Sequence, residues 1–81
     1  MYMYDVRNMN VQQFDSARLA QQAADDMNKY ITRNGCPVIP GGTFRVANRP
    51  AMLEIVAKYV RSGRTPVCGN AKRLGLMPPR R

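Results

Sequence analysis

Apolar residues recur along this chain at helical spacing in two long stretches and at alternate positions in two short ones. In the first long stretch, Ala17, Leu19, Ala20, Ala23, Ala24, Met27, Tyr30 and Ile31 fall within an arc of about 160° on a helical projection, and every charged side chain falls outside it. This spacing predicts a one-sided helix from about Ser16 to Arg33, with Asp15 as N-cap and Phe14 placed to staple onto Leu19. Asn34-Gly35 predicts its end, because glycine takes the left-handed turn that closes many helices, and Pro37 bars continuation. A second helix is predicted from about Pro50 to Ser62, with Asn48 or Arg49 at its cap and Gly63 at its end. There Met52, Leu53, Ile55, Val56, Tyr59 and Val60 fill a similar arc, and Glu54, Lys58 and Arg61 take the opposite side.

The alternating stretches predict strands. Tyr2, Tyr4 and Val6 share one side of the opening segment; in Thr43-Phe44-Arg45-Val46, Phe44 and Val46 point inward and Arg45 outward. Each is the natural mate of the other. The segment from Cys36 to Gly42 holds two prolines and two glycines and predicts a turn or an irregular link. A short third helix is predicted near Val67 to Leu74, stopped by Gly75, and residues 77–81, Met-Pro-Pro-Arg-Arg, predict a basic extended arm. The expected fold is α+β: two amphipathic helices packed on a short two-stranded sheet, a short third helix and a C-terminal arm, with residues 1–76 forming a single domain.

A chain of 81 residues suits one domain with a modest core, because a domain of this size buries only about 60% of its unfolded surface. Its 44% hydrophobic content is that of a folded protein. No apolar run approaches the ~20 residues of a membrane span, and the opening residues resemble no signal peptide, so a cytoplasmic location is expected. In a reducing compartment Cys36 and Cys68 are expected as free, partly buried thiols.

The chain contains no histidine, which removes the usual general base near neutral pH together with the commonest metal ligand. Among the carboxylates only Asp25 and Asp26 adjoin, and neighbours on a helix diverge by about 100°, so they cannot converge on one substrate atom. Ser16 and Ser62 lack a basic partner at recognisable spacing, and Gly41-Gly42 lacks the further glycines and lysine of a phosphate loop. A binding protein is expected, with no enzymatic activity, no metal and no cofactor.

Charge then narrows the partner. The net charge is +8, and arginine supplies ten of the thirteen basic residues. Four cations and four carboxylates cancel within residues 1–43, whereas residues 44–81 set nine cations against Glu54 alone and so carry the whole +8. Those nine, Arg45, Arg49, Lys58, Arg61, Arg64, Lys72, Arg73, Arg80 and Arg81, form a candidate footprint for a polyanion. Arginine favours this reading, since its planar fork contacts phosphate or carboxylate through two bonds. The expected partner is the phosphate backbone of DNA or RNA, with little base reading. The rival reading is an acidic host protein, bound by an inhibitor or an assembly subunit.

The stretch Leu53 to Leu76 resembles the first two helices of a helix-turn-helix or winged-helix DNA-binding domain. An apolar helix ends at Gly63, and Ala71-Lys72-Arg73-Leu74-Gly75-Leu76 follows at the family's spacing, alanine allowing close helix approach and glycine a tight turn. The stretch departs from that pattern at Asn70, usually apolar, and leaves five residues where the recognition helix would follow. The resemblance therefore implies DNA binding without sequence-specific reading of the major groove. In size and punctuation the chain also resembles small accessory proteins of phages and mobile elements, many of which block a host enzyme or join a larger assembly. Of the tyrosines, Tyr30 and Tyr59 are expected in the core; Tyr2 and Tyr4 are open to either core packing or base stacking.

Overall fold

The computed structural model describes residues 1–79, in the order β1 (Tyr2–Asp5), β2 (Val11–Gln13), α1 (Ala17–Arg33), β3 (Phe44–Ala47), α2 (Arg49–Arg61) and α3 (Asn70–Arg73). It is an α+β fold in which the sheet has three strands, one more than the alternation predicts. All pairings are antiparallel in the order β2-β1-β3, with Tyr4 opposite Val11 on one side and opposite Arg45 on the other. β2 escapes the sequence pattern because Val11-Gln12-Gln13 offers one apolar residue and no alternation. It is recruited by the turn after β1, where the Asp5 N–H donates to Asn10 O and the Met9 N–H to Asp5 O. Met9 occupies the left-handed region at φ 56°, which few non-glycine residues adopt, and its side chain is buried.

The helices lie on opposite faces of the sheet. Successive strand residues point to opposite sides. Tyr2 and Tyr4 join Met52 and Val56 of α2 and Ala71 and Leu76 of the α3 region in one core cluster. Met3 and Phe44 instead face Ala23 and Met27 of α1. α1 meets β1 and β3 through buried Ala20, Ala24 and Ile31. Its arc is therefore buried along one edge only: Leu19 is 49% exposed, Met27 36% and Tyr30 62%, against the expectation that the whole stripe, Tyr30 included, is core. Small side chains carry the contact because they let a helix approach the strands closely, and such an approach leaves a flanking leucine or tyrosine beyond the sheet.

Local signals act mostly where the sequence puts them. Ser16, one residue later than the expected Asp15, caps α1 by accepting from the Leu19 N–H at 3.2 Å. With that shift the staple positions fall on Asp15 and Ala20 instead of Phe14 and Leu19, and Leu19 is exposed. Gly35 closes α1 at φ 79°, its N–H donating to Thr32 O and that of Cys36 to Ile31 O, the paired bonds of a Schellman end. Asn48 caps α2 through the Ala51 N–H at 3.0 Å. α3 is shorter than its predicted span because Cys68 and Gly69, at φ 64° and 65°, form a left-handed pair that holds the chain out of helix until Asn70.

Both cysteines are free, and both are exposed rather than partly buried. Met77, expected in the basic arm, packs against the core; Arg80 and Arg81 lie outside the described residues. Among the described residues no helix is long and apolar enough to cross a membrane.

Candidate functional site

The sheet turns a division along the sequence into a division between faces. α1, with Asp25 and Asp26, covers one face; α2, α3 and their connecting loop, which bring Lys58, Arg61, Arg64, Lys72 and Arg73, cover the other. Among the described residues the one ion pair is Arg7 Nη2 to Asp5 Oδ2 at 2.8 Å, within the N-terminal half. Arg7 also donates its Nε and its backbone N–H to Asp5 Oδ1, satisfying a buried carboxylate. The side-chain hydrogen bonding that Arg7 donates to Asp5, and then the charge of Asp5, hold the Arg7 guanidinium pKa above its ordinary value. No carboxylate pairs with a described cation of the C-terminal half.

Three of those cations converge. Arg45 of β3, Lys58 of α2 and Arg64 of the following loop line an open cleft of about 430 Å³, and no carboxylate is among its lining residues. Its floor is apolar, formed by Val6, Met9 and Ile55, and Tyr59 supplies an aromatic wall. The Arg64 guanidinium carbon lies 5.8 Å from the centre of the Tyr59 ring, a cation–π contact that sets a flat cation beside a flat ring. Tyr59, expected in the core, is partly buried and packs against the core cluster, and Tyr2 and Tyr4 belong to that cluster, which resolves their open assignment.

Arg61 lies outside the cleft, about one turn of α2 beyond Lys58. The remaining described cations cluster at the other end of α2. Arg49 donates Nη1 to the Tyr2 hydroxyl at 3.0 Å and to Leu74 O at 3.3 Å, and Nη2 to Gly75 O at 3.4 Å. It therefore ties α2 to β1 and to the end of α3. Arg45 has a similar second role, donating Nε to Gly42 O at 2.8 Å and Nη2 to Pro40 O at 3.0 Å. Lys72 and Arg73 are exposed on α3, where Arg73 bonds to Asn70, and Asn70 in turn donates to Asn10 Oδ1 at 2.8 Å.

Two residues that carry much of this arrangement have no signal in the sequence. Asn28 of α1 satisfies both backbone groups of Phe44 in β3, accepting from Phe44 N–H at 2.9 Å and donating to Phe44 O at 3.1 Å. Met9 reaches the cleft floor through its left-handed turn. The site's polar and apolar residues thus come from β1, the β1–β2 turn, β3, α2 and the loop after it. Comparison with known protein families, with curated proteins and with solved structures finds no match to this chain.

Proposed function

We propose that this protein is a non-enzymatic, cytoplasmic binder of the nucleic-acid phosphate backbone, using the face built by α2, α3 and their connecting loop. The observation that carries this reading is the convergence of Arg45, Lys58 and Arg64 on one cleft without a carboxylate, with Arg61 beside it. Such a surface attracts a polyanion and releases its counterions on contact, whatever the base sequence. The exposed Lys72 and Arg73 extend the footprint by roughly the length of α2, about 20 Å.

The test is affinity for a random-sequence oligonucleotide by fluorescence anisotropy at several salt concentrations. Arg61→Ala, Arg64→Ala and Arg73→Ala are each expected to weaken binding alike on any sequence, lowering the salt slope by about 0.7 to 0.9. Absence of binding at about 50 mM salt overturns the reading, because that is where counterion release favours a basic footprint most.

The rival, an acidic surface on a partner protein, draws on one observation. Leu53 is 40% exposed on α2, an apolar anchor in a groove that it lines together with Glu54, Lys58 and Arg61. Under that reading Leu53→Ser abolishes capture of the partner and leaves any oligonucleotide affinity unchanged.

A further inference from the structure

We infer that the cleft between β1 and the C-terminal end of α2 receives an unpaired base, so that the nucleic acid bound is single-stranded. The inference rests on the backbone-binding reading above and goes beyond it in assigning strandedness. A surface that met phosphates alone would gain nothing from an apolar floor, yet Val6, Met9 and Ile55 form the floor between Arg45, Lys58 and Arg64. Cations at the rim, an aromatic wall and an apolar floor match a ligand that is anionic along one edge and flat and weakly polar along the other. An unstacked nucleotide has that character. A duplex keeps the faces of its bases inside the stack and offers such a cleft only sugar, phosphate and base edges.

The dimensions and chemistry agree. At about 430 Å³ the cleft falls in the range of ~300–1,000 Å³ typical of small-ligand sites. Tyr59 with Arg64 beside its ring is the pairing of aromatic and guanidinium on which single-stranded bases stack. The other aromatic residue of the lining, Tyr4, is 7% exposed and belongs to the core, so Tyr59 is the stacking partner.

The experiment compares four ligands of about 12 nucleotides, a length within the usual range of single-strand sites. They are oligodeoxyuridylate, oligouridylate, a deoxyribose-phosphate strand without bases, and a duplex. Binding is read by anisotropy at one salt concentration and, in parallel, by quenching of tyrosine fluorescence. At least one base-bearing single strand is expected to bind about tenfold more tightly than both the base-free strand and the duplex, and to quench where the base-free strand does not. The tighter of the two base-bearing strands identifies the sugar. Tyr59→Leu, its folding checked by circular dichroism, brings that strand to the affinity of the base-free one and leaves the latter unchanged. Equal affinity for the base-free strand, or tighter binding of the duplex, overturns base insertion while the backbone reading stands. Failure of all four ligands to bind overturns both.

Discussion

On the face covered by α1 the side chains pressed against the strands are Ala20, Ala24 and Ile31; on the face covered by α2 and α3 they are Met52, Val56, Ala71 and Leu76. The surface clefts differ in the same way. One lies between α1 and the sheet, is about 380 Å³ in volume, and has Asp5 and Asp26 in its lining and no cation. The other holds Arg45, Lys58 and Arg64 and no carboxylate. The α1 face is thus close and nearly rigid in its tolerance of size. The α2 face holds the larger apolar residues and also the cations, so a single helix supplies core and carries cations of the proposed binding surface. Buried and charged side chains divide there by angle around α2, with Met52 and Val56 in the core and Lys58 and Arg61 exposed.

The hardest test of that division is Val56→Asp. An unpaired charge at a fully buried site costs several kcal/mol against a total stability of about 5–15 kcal/mol, so this variant is expected to be unfolded by circular dichroism. Met52→Ala opens a cavity in the same cluster and is expected to lose about 2–5 kcal/mol in urea unfolding. Its counterpart on the other face is an enlargement: Ala24→Leu is expected to lose about 1–3 kcal/mol, and a stable Ala24→Leu would show that α1 does not sit closely on the strands.

Each face also has one polar tie to the sheet, and the two ties should be of similar strength. Asn28→Ala releases both backbone bonds to Phe44, and Arg49→Ala releases those to Tyr2, Leu74 and Gly75; each is expected to lower stability by about 1–2 kcal/mol. A neutral Arg49→Ala would return that residue to the binding footprint alone. The smallest effect is expected for Met27→Asp, within about 1 kcal/mol of the parent, since the helical arc puts Met27 in the core and the structure leaves it at the rim of the α1 cleft.

Both long helices are legible in the sequence because their signals are local: an apolar arc, Asn48 ahead of α2, and Gly35 and Gly63 behind α1 and α2. The pairing of β1 with β3 follows from alternation. An arc, however, says which side of a helix is apolar and not which face of a sheet it covers, so the placement of α1 and α2 on opposite faces has no trace in it. The same limit explains Leu19, Met27 and Tyr30, which are apolar by pattern and exposed because alanines make the contact.

For the site, the excess of cations after residue 43 is plain in the sequence, but its division into two clusters is not. Arg45 and Arg49 donate to backbone carbonyls of Pro40, Gly42, Leu74 and Gly75, and a carbonyl carries no residue identity to read. The apolar floor was equally hidden, because Met9 reaches it through a left-handed turn.

The central position of β1 has a consequence for the order of events during synthesis. β1 emerges first, and its hairpin partner β2 follows at once, but a two-stranded hairpin alone is marginal in water. Its other neighbour pairs Asp5 with Phe44, 39 positions later. At ~5–20 residues per second a ribosome takes about 2 to 8 s to cover that gap, during which one edge of the central strand is open and α1 has only half a sheet to lie on. The long separation also makes the sheet a non-local structure in an otherwise helical chain, which slows its closure. Any partner able to hold the unpaired edge of β1 therefore has its opportunity before β3 arrives and loses it afterwards.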